Sequence, residues 1–272
     1  MPLHRWSYLS VVASAVNLLS INSHVAYGHV GNAAAVFALQ RLGCEVWPVH
    51  TALFSNHAGH GSFRGEMVEA SAVGDLVRGI EERGALARCD GVLSGYLGKP
   101  ETGEAILEAL AKVKAANPTG RYCCDPVIGD TGRGVYVRAG IPEFLRERAV
   151  PAADVLTPNQ FELEHLSGGT APTLAAVLAA ADALAARGPR AILVTSVATE
   201  ETPEDCIDLI AREPAGRFRL RTGSAAEALS RAASAIFGVL QKTADQGADE
   251  MLLIDAQEEL VKPSRMFWAE PV

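Results

Sequence analysis

Short apolar runs alternate with longer stretches of helical periodicity, and this alternation constrains the fold more than any other feature of the chain. The apolar runs predict strands at 18–21, 45–50, 91–94, 121–124, 154–156 and 191–195. The patterns between them predict helices at 32–42, 72–83, 101–115, 141–148 and 173–186. Parallel strands need such crossover helices, so the alternation is typical of βαβ units. We therefore predict a three-layer α/β/α sandwich with a mostly parallel central sheet.

Composition limits the size of the core and the kind of partner. The 272 residues are 49% hydrophobic and 21% charged, which suits one large α/β domain. The formal net charge of -8 gives no broad basic field, so neither a nucleic acid nor an anionic membrane surface is expected as a partner. No stretch of sequence reaches the roughly 18 apolar residues of a membrane span.

The first sixteen residues stand apart from this pattern. His4 and Arg5 precede a short apolar run and an Ala-Ser-Ala sequence at 13–15, which resembles a signal peptide with its cleavage site. The apolar run is short and interrupted by serines, so we favour a disordered extension or a start codon set too early. The predicted domain then covers 17–272.

The five cysteines indicate a reducing compartment. Their number is odd, and none stands in a CxxC or other metal-ligand spacing. We interpret them as reduced and mostly buried residues of a cytoplasmic protein.

Polar residues follow five of the predicted strands, at 22–24, 94–96, 125–126, 157–159 and 195–196. Turns favour Ser, Asn, Asp, Pro and Gly for backbone reasons, so each cluster alone has a structural explanation. Ligands of open α/β sheets bind beyond the carboxyl ends of the strands, where all five clusters would meet. Their recurrence at one edge predicts a small-molecule site there.

Several longer motifs resemble those of bacterial pyridoxal kinases, which belong to the ribokinase-like superfamily. They are SINSHVAYGHVGNAAAVFALQRLGCEVWPVHT at 20–51, FSNH at 54–57, SGYLG at 94–98, KAANP at 114–118, CDPVIGD at 124–130 and TPNQFELEHL at 157–166. The resemblance extends from about residue 17 to residue 267. It implies ATP-dependent phosphorylation of the 5'-hydroxymethyl group of pyridoxal, by a cytoplasmic homodimer. The opening run separates the chain from the hydroxymethylpyrimidine kinases, a neighbouring substrate class.

The resemblance also implies roles for individual residues on the substrate side. Ser23 would hydrogen-bond the pyridoxal ring, and His57 and Tyr96 would help to enclose it. The alternatives are a surface-loop histidine and a packing aromatic residue. Ala58 and Gly59 depart from the family pattern, which often has a threonine and a polar residue after the histidine.

On the nucleotide side, the resemblance implies binding of ATP and Mg²⁺, with a monovalent cation as a further ligand. Asp125 and, through water, Glu162 would hold the magnesium ion, since a hard cation prefers carboxylate oxygen. A turn aspartate before proline is the alternative for Asp125, and Asp130 would lie in a loop that covers the site. The implied nucleotide-binding residues are Asp125, Thr157, Asn159, Glu162, Thr195 and Ser196.

The segment at 157–162 is also expected to begin a helix. Thr157 and Gln160 have capping-box spacing, and Pro158 would stand at the first helical position. Backbone amides at such a helix start form an anion site.

One expected segment is missing from the sequence. In the superfamily that the chain resembles, a GxGD loop at a helix N-terminus neutralises the transferred phosphoryl group, and its aspartate accepts the proton of the substrate hydroxyl. Here RFRLRT at 217–222 leads directly into GSAAEALSRAASAIFGVL at 223–240, as if one strand, loop and helix had been excised. Ser224 and Glu227 again have capping-box spacing, and we interpret Glu227 as a cap in preference to a general base.

Two hypotheses about function follow. The first is an active pyridoxal kinase. The second is a catalytically defective relative that only binds vitamer or nucleotide, because losing the base and the amide donors costs about 10² to 10⁴ and 10² to 10³ in rate respectively. Loss of a covering helix would also expose apolar surface and favour association.

Overall fold

The computed structural model describes residues 16–204, 206–221, 227–248, 250–267 and 270–271. The strands in these residues are β1 (Asn17–Val25), β2 (Glu45–Phe54), β3 (Gly65–Met67), β4 (Gly91–Ser94), β5 (Arg121–Cys124), β6 (Gly129–Asp130), β7 (Gly134–Val135), β8 (Val155–Leu156), β9 (Ala191–Val197), β10 (Asp208–Glu213), β11 (Gly216–Arg221) and β12 (Glu270–Pro271). The α-helices are α1 (Asn32–Arg41), α2 (Ala70–Glu82), α3 (Pro100–Ala116), α4 (Ile141–Phe144), α5 (Val150–Ala152), α6 (Gln160–Ser167), α7 (Leu174–Ala185), α8 (Glu227–Asp245) and α9 (Gln257–Val261).

The central sheet is mixed, with a parallel centre. Within the described residues, ten strands follow one another in the order β12-β11-β10-β9-β8-β5-β4-β1-β2-β3. The six strands from β9 to β2 are parallel, whereas β3 and the β10, β11 and β12 group pair antiparallel at the two edges. The mostly parallel sheet predicted from the alternation is confirmed. All the parallel strands end at one edge, and the site lies there.

Helices cover both faces of this sheet, and the alternation of buried side chains along the strands explains why. Leu19 and Ile21 of β1 lie in the main core, which also contains side chains of α2, α3, α4, α6 and α7. On the opposite face, Ser20 contacts the start of α1, and α1 packs with α8 and α9 around a smaller apolar cluster. A strand buried on both faces needs apolar or paired side chains on each, and β1 has both kinds.

The start of α1 is fixed by a buried asparagine. Asn32 donates its side-chain amide to the carbonyls of Ser20, Asn22 and Val49, at 3.2 to 3.3 Å, and accepts a hydrogen bond from the Ser20 hydroxyl at 2.7 Å. These bonds anchor α1 to the middle of β1 and β2.

Several elements differ from the prediction. Strands β1 and β2 continue four residues beyond the predicted ends at 21 and 50, because their pairing resumes after a bulge between Asn22 and His24. Helix 141–148 is not one α-helix: a π-helical stretch at 145–149 separates α4 from α5. Pro151 has no N–H to donate to the preceding turn, which interrupts the α-helical ladder there. The predicted strands at 91–94 and 121–124 have the predicted bounds.

The helix at 157–162 also begins differently. We expected Thr157 and Gln160 to form its capping box, but Asn159 is the N-cap residue and Gln160 the first helical residue. The chain stays extended through Pro158 because Thr195 donates its backbone N–H to the Pro158 carbonyl at 2.9 Å. Gln160 turns away and donates to the Ala171 carbonyl.

Among the described residues, no helix is both long enough and apolar enough to cross a membrane. Cys89 and Cys124 are buried, whereas the other three cysteines are partly exposed. The expectations for residues 1–15 and for Ser224 lie outside the described residues, as does the side chain of Glu227.

Candidate functional site

A cavity of about 540 Å³ lies beyond the carboxyl ends of β1, β2, β4 and β5. The three predicted substrate residues, Ser23, His57 and Tyr96, all line it, together with Asp125. They come from four different segments of the sequence, which the parallel sheet brings together. We call this space the first cavity. Its size is that of a small-molecule site.

Ser23 lies at the inner wall of the first cavity and is closely approached by the chain after β1. An ideal Cβ atom on Gly31 would stand 2.3 Å from the Ser23 carbonyl oxygen and 2.6 Å from its hydroxyl oxygen. Gly31 also has φ +56, in the left-handed region that glycine adopts most readily. Only glycine therefore lets the chain pass this close to Ser23 before α1 begins.

Asn22 organises the same region, and the sequence prediction did not include it among the site residues. Its side-chain oxygen accepts the backbone N–H of Ser23 at 2.8 Å and that of Tyr96 at 3.0 Å. It thus joins the end of β1 to the loop after β4. The available signal was its place in the polar cluster after the first apolar run.

His57 and Tyr96 are held by contacts of their neighbouring backbone. His57 precedes a short 3₁₀ turn at 58–60, and its Nδ1 atom accepts the Gly59 backbone N–H at 3.2 Å. The carbonyl of Tyr96 accepts the Thr51 hydroxyl at 2.6 Å. Burial raises the pKa of the Tyr96 phenol, while Arg138 acts in the opposite direction. The phenol is therefore a neutral hydrogen-bond donor at neutral pH.

A second cavity of about 530 Å³ adjoins the first, and Asn22, Gly31 and Asp125 line both. Two threonines also line it: Thr157 directly follows β8, and Thr195 lies in the last part of β9. Its remaining walls are mostly apolar side chains of α1, of α8 and of the segment after α8.

Asp125 is the one acidic residue among the described residues that line the two cavities. Burial raises its pKa to about 6, and the Thr157 hydroxyl, which donates to Asp125 Oδ1 at 3.5 Å, acts the other way. Within the described part of the chain, this long hydrogen bond is the only one that compensates the carboxylate for its loss of water. A group in this condition favours a cationic ligand.

Asn159 and Glu162 form a reciprocal capping box at the start of α6. Asn159 Oδ1 accepts the Glu162 N–H, and Glu162 Oε2 accepts the Asn159 N–H, each at 2.8 Å. Glu162 Oε1 also accepts the Ile128 N–H at 2.9 Å, and Asn159 Nδ2 donates to the Gly129 carbonyl at 2.8 Å and to Asp130 at 3.1 Å. The box therefore ties α6 to the β6–β7 hairpin that covers the site.

Burial raises the pKa of Glu162 to about 8, and the two backbone N–H donors act against that rise. Neither Asn159 nor Glu162 lines either cavity. Ser196 is also set apart: it is exposed, has φ +52 and lines neither cavity. The nucleotide-side residues that line a cavity are Asp125, Thr157 and Thr195.

The residues present fit a magnesium ion in part. No group of three His, Cys, Asp or Glu side chains converges in the portion of the chain that the structure describes. Mg²⁺ commonly takes one or two carboxylates and completes its shell with water and substrate phosphates, which matches Asp125. Both oxygens of Glu162 already accept backbone N–H groups, so that residue is suited to contact through water only.

Arg133 and Tyr136 were missed by the sequence analysis, although they line the first cavity. Both belong to the segment of the β6–β7 hairpin, which crosses over the strand ends. Burial raises the pKa of the Tyr136 phenol, with the carboxylates of Asp130, Glu162 and Asp125 adding to the rise. The signal for this hairpin was weak, since Gly132 and Gly134 are common residues of surface loops.

A family model described as phosphomethylpyrimidine kinase matches residues 31–228. Pyridoxal kinase PdxY of Granulibacter bethesdensis is 48% identical to this chain, over 94% of the chain and 99% of the relative. Pyridoxal kinase PdxY of Rubrobacter xylanophilus is 49% identical, over 93% of the chain and 96% of the relative.

Each alignment with these relatives has more positions than the number of residues of this chain that it covers. The first spans 285 positions, whereas 94% of 272 residues is about 256, so about 29 positions have no counterpart here. The second spans 278 positions against about 253 residues, which leaves about 25. The segment that we expect to be missing after Thr222, one strand, loop and helix, would have a length of this order.

The fold resembles solved structures as well. Pyridoxal kinase from Leishmania donovani in complex with ADP and pyridoxine has a TM-score of 0.85 and 24% identity, over 94% of this chain and 99% of that one. PdxK from Plasmodium falciparum with AMP-PNP and PL has a TM-score of 0.79 and 20% identity, over 95% of this chain and 99% of that one. At these identities the likeness shows the shared fold.

Proposed function

This chain belongs to the pyridoxal kinases, within the phosphomethylpyrimidine kinase family, and we propose that it phosphorylates the 5'-hydroxyl group of pyridoxal with ATP. The product is pyridoxal 5'-phosphate, so the enzyme acts in vitamin B6 salvage. The observation that carries the proposal is the identity of 48 to 49% with two named pyridoxal kinases over nearly the whole chain. The named relatives are kinases, which favours an active enzyme over a relative that only binds.

We assign the vitamer to the first cavity. Ser23 and the Tyr96 phenol supply hydrogen-bonding groups there, and His57 closes one side. The aromatic rings of Phe54 and Phe63, 4.7 Å apart between centroids, add an apolar wall suited to a planar pyridine ring.

We assign the polyphosphate of ATP to the shared border of the two cavities, next to Thr157, Thr195 and Asp125. A magnesium ion bound there would neutralise charge on the transferred phosphoryl group.

Asp125 would hold this magnesium ion directly and Glu162 through water, while Asn159 positions Glu162 by the capping box. The proposal also includes Ser196 as a nucleotide-binding residue and a monovalent cation as a further ligand. Arg133, on the covering hairpin, would pair with the phosphate groups.

We also propose that the enzyme is a cytoplasmic homodimer. Its cysteines are suited to a reducing compartment. Four apolar side chains of α8, α9 and the segment between them are 44 to 54% exposed, which favours association: Ile236, Leu240, Ile254 and Val261. Sedimentation velocity of the purified chain tests this, and a monomer at micromolar concentration would contradict it.

The kinase proposal is tested by incubating the purified chain with pyridoxal and Mg-ATP and measuring pyridoxal 5'-phosphate. Binding of pyridoxal and of ATP is titrated in parallel. We expect product formation that depends on both substrates and stops with EDTA.

Two other outcomes are informative. Binding of both ligands with no product would favour the defective relative and contradict the kinase. Turnover of about 1 to 100 per second, which is ordinary for kinases, would show that other groups fully replace the missing loop.

A further inference from the structure

Two loops form the outer wall of the first cavity. The first loop, residues 26–31, joins β1 to α1, and the second loop, residues 57–61, follows β2. Val30 and Gly31 of the first loop line the cavity, as do His57 and Gly59 of the second. Their residues are partly or fully exposed, so these loops lack the burial that holds the strands behind them.

A glutamate from the far end of the chain contacts both loops. Glu250 Oε1 lies 3.0 Å from His60 Nε2 in the second loop. Its other oxygen stands so close to Gly28 in the first loop that an ideal Cβ atom there would lie 2.4 Å away. Gly28 has φ +91, a backbone conformation that favours glycine. A side chain at this position would have to displace the Glu250 carboxylate. The carboxylate side chain is only 20% exposed.

The segment that carries Glu250 is anchored from behind. Leu253 is buried against Val239 of α8 and Ala256, and Met251 packs on the same cluster. Met251 and Leu253 also line the second cavity. Glu250 is therefore held in place by packing that does not depend on the two loops.

We propose that Glu250 is a positioning residue for the vitamer site, which holds the two loops closed over the first cavity through His60 and Gly28. The inference rests on the proposed function, because it takes the first cavity as the vitamer site. Glu250 lines neither cavity and so acts through the loops. Its loss should weaken pyridoxal binding while ATP binding, at the border of the second cavity, stays as it was.

The test compares Glu250→Ala, His60→Ala and the double variant with the unchanged chain. Pyridoxal binding and ATP binding are titrated separately, and the KM and kcat for pyridoxal are measured. We expect each single variant to raise the dissociation constant and KM for pyridoxal about three- to tenfold, the effect of losing one hydrogen bond. The double variant should lose little more than Glu250→Ala alone, because Glu250→Ala already removes the contact with His60.

Glu258→Ala is the matched control. Glu258 also reaches from the C-terminal region to an earlier element, by an ion pair with Arg41 at 2.5 Å, but neither residue lines the first or the second cavity. It should leave pyridoxal binding unchanged. Thermal unfolding of each variant identifies general damage, and Glu250→Gln, which keeps the side-chain shape, serves if Glu250→Ala does not fold.

Unchanged pyridoxal binding in Glu250→Ala, or fully additive losses in the double variant, would overturn the inference. A parallel loss of ATP binding would do so too, since it indicates a general structural role. These results are separate from those for the proposed function, because pyridoxal binding is measured whether or not product forms.

Discussion

At the scale of single residues, Asp125 combines a place between the two cavities with a cost to stability. Burial raises its pKa to about 6 from a usual value near 3.8. Compared with the unfolded chain, the folded protein therefore favours the protonated form of this carboxyl group. A carboxyl group with a raised pKa stabilises the fold least when it is ionised. Its contribution therefore falls as pH rises from about 4 to about 6 and stays low above that range.

Asp125→Asn should therefore be more stable than the unchanged chain in metal-free buffer at pH 8. The shift in pKa sets an upper limit of about 3 kcal/mol, and we expect about 1 to 2 kcal/mol because the cavity leaves the group partly open to water. At pH 5 the gain should be about half as large. Urea unfolding at both pH values measures this, and a variant less stable at pH 8 would contradict it.

Gly31 tests the close approach to Ser23. Gly31→Ala places a Cβ atom 2.3 Å from the Ser23 carbonyl, in addition to the strain of φ +56. Gly43 has φ +88 but nothing within 4 Å of an added Cβ, so Gly43→Ala isolates the backbone strain. We expect Gly43→Ala to cost about 1 kcal/mol and Gly31→Ala clearly more, with weaker pyridoxal binding in Gly31→Ala alone. Equal losses in thermal unfolding would show that the contact with Ser23 relaxes freely.

At the scale of elements, the start of α6 links the nucleotide side to the covering hairpin. The amide of Asn159 reaches the Gly129 carbonyl and Asp130, while Glu162 holds the N–H of Ile128. A shift of α6 would therefore move the hairpin, which carries Arg133 to the first cavity. The position of the helix cap matters for the site as well as for stability.

Asn159→Ala should lower the free energy of unfolding by about 1 to 2 kcal/mol, because it removes the cap. Thr157→Ala should cost less, since the Thr157 side chain makes only a 3.5 Å hydrogen bond, to Asp125, among the described residues. Chemical denaturation of the two variants decides between the observed capping box and the one expected from Thr157 and Gln160. A larger loss in Thr157→Ala would support the latter.

At the scale of the whole molecule, the chain is a pyridoxal kinase that lacks a counterpart for about 25 to 29 positions of its alignments with two relatives. Residues 222–226, where the sequence places the gap, lie outside the described residues. Helix α8 begins directly after them, and its side chains Ile236 and Leu240 are about half exposed. Exposed apolar residues agree with the loss of a covering helix.

Insertion of a GxGD-bearing strand, loop and helix after Thr222 should raise kcat by several orders of magnitude. The segment would supply backbone amides for the transferred phosphoryl group, worth about 10² to 10³, and a general base, worth about 10² to 10⁴. Steady-state formation of pyridoxal 5'-phosphate measures the gain. An insertion with the aspartate changed to asparagine separates the two effects, and no gain from the intact insertion would refute the explanation by a missing loop.

The sequence by itself determined the parallel sheet, the ends of β4 and β5, and the family. Apolar runs fix which segments are buried as strands, and buried parallel strands bring their polar ends to one edge, so Ser23, Tyr96 and Asp125 were found without coordinates. Tertiary structure alone decided contacts between segments that are distant in sequence. The pairing of Thr195 with Pro158 moved the start of α6, and packing of Leu253 carried Glu250 to the loops of residues 26–31 and 57–61. Such contacts follow from three-dimensional packing, which local periodicity does not encode.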